Sequence, residues 1–121
     1  MLSSMTPTIV LQDGEFAFTM GTPGGSTIIT SVLQIYLNIT LFGMSMTEAI
    51  DAPRVHHQWL PDLIQPETGA LTDEVVEELN AMGYEIKDRR SIGRAAGIMR
   101  LEDGRLEGKT DRRARGLALG H

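Results

Sequence analysis

The sequence predicts an α+β fold built on antiparallel strands, and three observations carry that reading. Asp13-Gly14 and Asp103-Gly104 each stand between apolar runs and mark β-hairpins near the two ends of the chain. Between them lie two stretches with helical periodicity, around residues 27–38 and 72–82. The resulting order is hairpin, helix, short helix, strand pieces, helix, strand, hairpin, a mixed antiparallel α+β pattern. With 121 residues and no repeat, low-complexity tract or linker, residues 1–121 read as a single domain.

Each element has its own signal. Thr6 to Gln12 reads as a strand, and Glu15 to Met20 returns beside it. Gly21-Thr22-Pro23-Gly24-Gly25 is a breaker-rich loop, after which Ser26 is placed to cap a helix from Thr27 to Asn38. The apolar residues of that helix, Ile28, Ile29, Val32, Leu33, Ile35, Leu37 and Ile39, cover most of its circumference, which predicts a helix buried on all sides. Ser45-Met46-Thr47-Glu48 fits a capping box for a short helix that ends before Pro53. Arg54 to Trp59 reads as extended, with a short strand around Leu63-Ile64. Thr72 caps a second helix, Asp73 and Glu74 suit its first turn, and Gly83 stops it. Val75, Val76, Leu79 and Met82 predict one buried face there. Tyr84 to Lys87 is a strand, and Ala95 to Leu101 with Leu106 to Thr110 make the second hairpin.

Composition narrows the function. The net charge is −5, the reverse of the basic footprint a nucleic-acid partner leaves. No run of 18 apolar residues is present, so no membrane span is expected. The opening Met1-Leu2-Ser3-Ser4 shows no basic region ahead of an apolar stretch, so no signal peptide is expected within the chain. Cysteine is absent, which removes disulfides, thiolate metal sites and a cysteine nucleophile. Residues 1–60 hold four acids (Asp13, Glu15, Glu48, Asp51) and one base, Arg54. A first half so poor in charge faces either its own core or a partner.

The Gly21–Gly25 loop carries the clearest chemical signal. It stands between a strand and the start of a helix. Two adjacent glycines permit positive φ and leave no side chain in the way of a ligand. Consecutive N–H groups in such a turn converge on one point, and the helix dipole adds positive potential there. A phosphate, a carboxylate or a developing oxyanion suits that design; a plain tight turn fits the spacing as well. No Gly-Lys-Ser/Thr follows and no G-x-G-x-x-G spacing is present, so neither a P-loop nor a dinucleotide site is expected, and no cofactor is assigned. Ser3 and Ser4 suit a substrate carboxylate if the first hairpin folds them back to the loop; otherwise they are a terminal tail. His56 and His57 point to opposite faces of an extended segment and lack H-x-x-x-H, H-E-x-x-H or cysteine partners. They read as structural histidines near Trp59, and no metal site is expected. Lys109, Arg112, Arg113 and Arg115, joined by Arg89, Arg90 and Arg94, read as a solvated surface or partner contact.

Four segments together resemble one family. Leu2-Ser3-Ser4-Met5-Thr6-Pro7-Thr8-Ile9-Val10 resembles the L-S-S-M-x-P-T-I-V segment of the γ-glutamyltransferase (γ-glutamyltranspeptidase) family, and Gly21-Thr22-Pro23-Gly24-Gly25-Ser26 resembles its G-[ST]-P-G-G-S loop. Ala52-Pro53-Arg54-Val55-His56-His57-Gln58-Trp59-Leu60-Pro61 resembles its A-P-R-x-H-H-Q-W-x-P segment, and Asp111-x-Arg113 with Gly116 to His121 resembles its end. The order and spacing match the C-terminal part of the family's small subunit. The resemblance implies an N-terminal-nucleophile hydrolase fold, an αββα sandwich, in a precursor that cleaves itself to free a threonine nucleophile. That threonine attacks a γ-glutamyl amide such as that of glutathione, and the acyl group passes to water or to an amine. It further implies Gly24 and Gly25 as oxyanion-hole donors and Ser3 and Ser4 as binders of the glutamyl α-carboxylate. The family's nucleophile lies upstream of the L-S-S-M segment, and none of Thr6, Thr8, Thr22 or Thr27 matches its motif. So do the arginine and the acidic residues that hold the glutamyl group. Arg112 stands for a common proline and His121 for a frequent aromatic residue.

Two functional expectations follow. In the first, the chain is part of a γ-glutamyl acyl-transfer enzyme, inactive alone and partnered by the large subunit and the nucleophile segment. In the second, it is a stand-alone binding or assembly module that self-associates through exposed strand edges and apolar surface.

Overall fold

A computed structural model of the chain describes residues 4–120. Ser3 and His121, both singled out above, lie outside the described residues. Strand β1 (Thr8–Gln12) pairs antiparallel with β2 (Glu15–Gly21). Asp13 and Gly14 both take positive φ, 53° and 83°, as a tight two-residue hairpin turn requires. After the glycine loop comes a 3-10 turn, Gly25–Thr27, and then helix α1 (Ile28–Thr40). Ser26 therefore lies inside the 3-10 turn and does not cap α1. The N-cap residue is Thr27, which makes no side-chain cap bond. Its hydroxyl is turned back to donate to the Gly24 carbonyl at 3.0 Å.

The α1 expectation is corrected in a second respect. Ile28, Ser31, Val32 and Ile35 are buried, but Ile29, Leu33 and Tyr36 form an exposed apolar stripe. Periodicity reports which sides of a helix are apolar. It does not report whether this chain covers them.

Helix α2 (Met46–Asp51) forms behind the capping box read from the sequence. The Glu48 N–H donates to Ser45 Oγ at 3.2 Å, and the Ser45 N–H donates to Glu48 Oε2 at 2.9 Å. Strands β3 (Val55–His56) and β4 (Leu63–Pro66) follow, then α3 (Asp73–Ala81), capped by Thr72, whose Oγ1 accepts from the Val75 N–H at 3.4 Å. The face expected of α3 is covered only in part: Val76 and Leu79 are half-buried, Val75 and Met82 are exposed, and no residue of the helix is fully buried. Strand β5 (Glu85–Ile86) and the hairpin of β6 (Ala96–Arg100) with β7 (Leu106–Thr110) complete the elements.

Two sheets result. The larger is antiparallel throughout, in the order β1-β2-β6-β7. The smaller has the order β3-β4-β5 and contains one parallel pair, β4 with β5. One face of the large sheet supplies Phe18 and Met20 to a core with Ile28, Val32 and Ile35 of α1, Met46, Ala49 and Ile50 of α2, and Ala95. On the opposite face the register aligns Ile9, Thr19 and Ile98 in one row. Ile9 and Ile98 stay exposed there, while Gly108, next in the row, lies against Ala118 of the C-terminal tail.

Antiparallel pairing decides where the loops gather. Thr8 pairs with Met20, Gly21 with Ala96, and Ala96 with Thr110. The segment before β1, the glycine loop after β2, the segment before β6 and the segment after β7 thus meet at one end of the sheet.

Candidate functional site

The glycine loop is held at its base by Thr22, which is fully buried. Its N–H donates to the Met5 carbonyl at 2.9 Å. Its hydroxyl donates to the Pro23 carbonyl at 2.8 Å and accepts from the Arg94 N–H at 2.8 Å. Beyond it the backbone turns through φ values of 154° at Gly24 and 61° at Gly25. A Cβ on Gly24 would stand 2.6 Å from Thr27 Oγ1 and 3.5 Å from Gly93 Cα, so the position is closed to side chains by sterics as well as by φ. Gly25 has open space around it, and only its φ restricts it. Among the described residues, no acceptor takes the N–H of Gly24 or of Gly25. Two neighbouring backbone donors without a partner among the described residues therefore sit in one tight turn.

Facing this turn is a strap, residues 89–95, fixed along its length. The Arg89 N–H donates to the Pro66 carbonyl at 2.8 Å, and Arg89 Nη1 to Gln65 Oε1 at 3.0 Å. The Ile92 N–H donates to Glu67 Oε1 at 2.7 Å, and the Ala95 N–H to Asp111 Oδ2 at 2.9 Å. Between the strap and the turn lies a cavity of about 350 Å³. Pro23, Gly24 and Thr27 form one wall; Arg89, Ser91, Gly93 and Arg94 form the other.

Beneath both walls sits a buried ionic cluster. Arg54 Nη1 donates to Asp111 Oδ2 at 2.9 Å and to the Ile92 carbonyl at 2.6 Å, and Nη2 donates to the Ile50 carbonyl at 2.7 Å. Arg113 Nη1 donates to Asp111 Oδ1 at 3.0 Å, its Nε donates to Glu67 Oε1 at 2.7 Å, and its Nη2 closes a second, short bond to Glu67. Glu67 Oε2 also accepts from the Arg54 N–H at 2.9 Å. Arg54, Glu67 and Asp111 are all buried, and the Arg113 side chain nearly so. Burial pushes the Glu67 and Asp111 carboxyls up. Hydrogen bonds and positive charge outweigh it and hold both below their ordinary values, from Arg113 and the Ile92 N–H for Glu67 and from the Arg113 N–H and Arg54 for Asp111. Burial draws Arg54 down against the pull of Asp111, while the two carboxylates around Arg113 overcome its burial and raise it. Because Glu67 and Asp111 also receive N–H groups of the strap, this cluster holds the strap in place, and the Arg94–Thr22 bond ties the strap to the base of the turn.

The residues singled out in the sequence fall as follows. Gly24 and Gly25 lie at the turn described. The first hairpin brings Ser4 to the same end of the sheet: it is exposed, next to the Met5 whose carbonyl binds Thr22. His56 is buried, with Nδ1 2.8 Å from Thr30 Oγ1 and Nε2 2.9 Å from Gln58 Oε1. His57 Nε2 lies 3.0 Å from Asp62 Oδ1. No group of three or more His, Asp or Glu among the described residues is arranged to hold a metal ion. The basic run divides. Lys109 pairs with Asp51 at 2.7 Å, whereas Arg113 enters the buried cluster, which corrects its reading as solvated surface. Arg89 and Arg94 do not extend that run but line the cavity. Sequence reasoning missed Glu67 altogether. Arg54, Asp111 and Arg113 stood inside recognised motifs, and the pairing of those motifs was the signal available.

Comparison with known proteins places this arrangement among relatives. The family model described as gamma-glutamyltranspeptidase matches residues 1–121. The chain is similar to the glutathione hydrolase proenzyme of Escherichia coli, 43% identical over 113 residues covering 93% of this chain and 19% of that protein. It is similar to the glutathione hydrolase proenzyme of Pseudomonas aeruginosa as well, 45% identical, covering 98% of this chain and 22% of that protein. Among solved structures it resembles the Helicobacter pylori gamma-glutamyltranspeptidase T380A mutant with a TM-score of 0.87 and 40% identity, covering 93% of this chain and 62% of that one. The chain thus spans about a fifth of the length of these two curated relatives.

Proposed function

The chain belongs to the gamma-glutamyltranspeptidase family, an α+β member of the N-terminal-nucleophile hydrolase fold, and on that premise we propose that it supplies half of an acyl-transfer site for γ-glutamyl amides of the glutathione type. The observation that carries the reading is the pair of N–H groups at Gly24 and Gly25, which have no acceptor among the described residues. Placed against a carbonyl under attack, they stabilise the oxygen as it takes negative charge, and donors fixed before the reaction do so without reorganisation. The hydroxyls of Ser3 and Ser4 bind the α-carboxylate of the glutamyl group. The Met5–Thr22 hydrogen bond supports this by tying the neighbouring segment to the loop.

The attacking group is a threonine outside this chain, freed by self-cleavage of a precursor, whose own amine takes the hydroxyl proton. Its oxygen adds to the γ-carbonyl, the oxyanion collapses, the carbon–nitrogen bond breaks and the amine departs with the proton. Water or a second amine then removes the acyl group. On this reading the chain is inactive alone and works with the large subunit and the nucleophile segment. Residues 1–121 are one domain of that assembly, and the outer-face row of Ile9, Thr19 and Ile98 packs against the rest of it. The test is to assay γ-glutamyl anilide cleavage by the chain alone and by the chain combined with its upstream portion. Activity only in combination is expected. Activity of the isolated chain overturns the placement of the nucleophile, and an inactive, folded combination overturns the acyl-transfer reading.

One observation favours a second reading, a self-associating module without catalysis. Ile9 and Ile98 of the outer sheet face and the Ile29, Leu33 and Tyr36 stripe are apolar and exposed, and β1 and β7 form the two edges of the sheet. Sedimentation of the chain alone decides it: a dimer supports this reading, and a monomer at high concentration removes it.

A further inference from the structure

Gly24 and Gly25 give the turn its shape, but glycine permits a conformation without holding it. The Gly24–Gly25 peptide unit has a glycine on each side, so little steric resistance opposes its rotation. A rotated unit presents its carbonyl where its N–H stood, and that dipole repels a developing negative charge instead of stabilising it. Groups other than the glycines must therefore fix the two units that carry the donors.

Two buried threonines are placed to do so. In a trans peptide unit the C=O and the following N–H lie in one plane and point in opposite directions, and both units here are trans. The Pro23 carbonyl shares its unit with the Gly24 N–H, and it accepts from Thr22 Oγ1 at 2.8 Å. The Gly24 carbonyl shares its unit with the Gly25 N–H. It accepts from Thr27 Oγ1 at 3.0 Å and from the Thr27 N–H at 3.3 Å. Each unit is thus held at its oxygen, and its N–H points away from the threonine that holds it. Thr22 and Thr27 are 0% and 1% exposed, so solvent does not compete for either hydroxyl. A hydroxyl has a single hydrogen to give. That of Thr22 is directed to Pro23 while its oxygen accepts the Arg94 N–H. That of Thr27 reaches the Gly24 carbonyl through space that a side chain on Gly24 would fill, since a Cβ there would stand 2.6 Å from Thr27 Oγ1.

We propose that Thr22 and Thr27 are positioning residues for acyl transfer: Thr22 aims the Gly24 N–H and Thr27 aims the Gly25 N–H, each through the carbonyl of the shared peptide unit. Aim at a reacting carbonyl rests on the acyl-transfer reading; the hold on the two peptide units does not.

The test uses the chain combined with its upstream portion and a γ-glutamyl anilide. Thr22→Val and Thr27→Val keep the branched shape and remove the hydroxyl. Each is expected to lower kcat at least tenfold, a share of the roughly 100- to 1,000-fold that a lost oxyanion donor costs. KM should stay within about twofold, because the interaction is made only in the transition state. Thr22→Ser and Thr27→Ser keep a hydroxyl and are expected to recover most of the loss. Thr22→Val also strips the Arg94 N–H of its acceptor. Thr27→Val deprives no donor among the described residues, so it decides the proposal if Thr22→Val does not fold. An unchanged kcat in Thr27→Val, a fall that Thr27→Ser shares in full, or an effect confined to KM overturns the proposal. An unsubstituted assembly that cleaves no anilide overturns the acyl-transfer reading instead. The hold on the peptide units is read separately, from the carbonyl carbon NMR signals of Pro23 and Gly24 in the isotopically labelled chain. The Pro23 signal is expected to move in Thr22→Val and the Gly24 signal in Thr27→Val. Signals that ignore the loss of the hydroxyl overturn the hold, and with it the proposal.

Discussion

Arg54 and Asp111 lie 57 positions apart in the chain and meet at 2.9 Å with both side chains buried. Each also holds the strap that faces the glycine turn: Arg54 binds the Ile92 carbonyl, and Asp111 binds the Ala95 N–H. The pair is a brace between the segment after α2, the strap and the segment after β7, and the first consequence concerns stability. Arg54→Leu leaves Asp111 and the Ile92 carbonyl short of a donor in a buried site. The expected loss is about 3–5 kcal/mol, the cost of breaking one side of a buried ion pair. Urea unfolding of the chain measures it, and a loss under 1 kcal/mol would show that the pair is not a brace.

Acid should weaken the same cluster. The Glu67 and Asp111 carboxyls are held below their ordinary values in the folded state, so the unfolded chain binds protons more readily. Their stabilisation is present in full above the ordinary carboxylate range, declines as pH falls through about 4, and is gone below the lowered folded-state values. Unfolding midpoints measured across that range should drop, and Glu67→Gln should flatten the drop. A midpoint independent of pH across the acid range contradicts it.

Gly24→Ala tests the turn. The new methyl would stand 2.6 Å from Thr27 Oγ1 at a backbone φ of 154°, so the turn must open and its N–H pair must lose alignment. In the active assembly kcat is expected to fall about 100- to 1,000-fold, the effect of losing one oxyanion donor. Gly25→Ala meets no neighbour and carries only the strain of its φ, so its loss should be smaller. Equal kcat for Gly24→Ala and the unsubstituted assembly would remove the turn from the chemistry.

The exposed isoleucines of the outer sheet face predict association behaviour. Ile9 and Ile98 are exposed and aligned through Thr19, so I9E/I98E should reduce self-association of the isolated chain while changing its stability by no more than about 1 kcal/mol. Sedimentation and urea unfolding read the two effects. A dimer that persists in the double variant places the contact elsewhere, with the Leu33 and Tyr36 stripe the next surface to alter.

What the sequence revealed was mostly local. Ser45 and Glu48 announced α2 because a capping box closes within four residues, and Asp13-Gly14 announced its hairpin because the turn's φ angles belong to those two residues. The glycine turn was legible for the same reason. Burial was less so: Leu33 and Val75 carry the apolarity of covered positions, yet this chain leaves both exposed. The ionic cluster was hidden most deeply. Arg54, Glu67, Asp111 and Arg113 come together only through the pairing of distant segments, and an arginine among charged neighbours in sequence shows no sign of being taken out of water. The family resemblance grouped two of those segments without giving them a task.

Thr22 carries one further consequence. Its single hydroxyl receives the Arg94 N–H and binds the Pro23 carbonyl, so the strap and the turn are tied at one oxygen atom. The Arg94 amide proton can exchange with solvent deuterium only when that tie parts, and its exchange rate is a clock for separation of the two walls. A ligand seated between them would slow the clock, including one that leaves the rest of the fold unchanged.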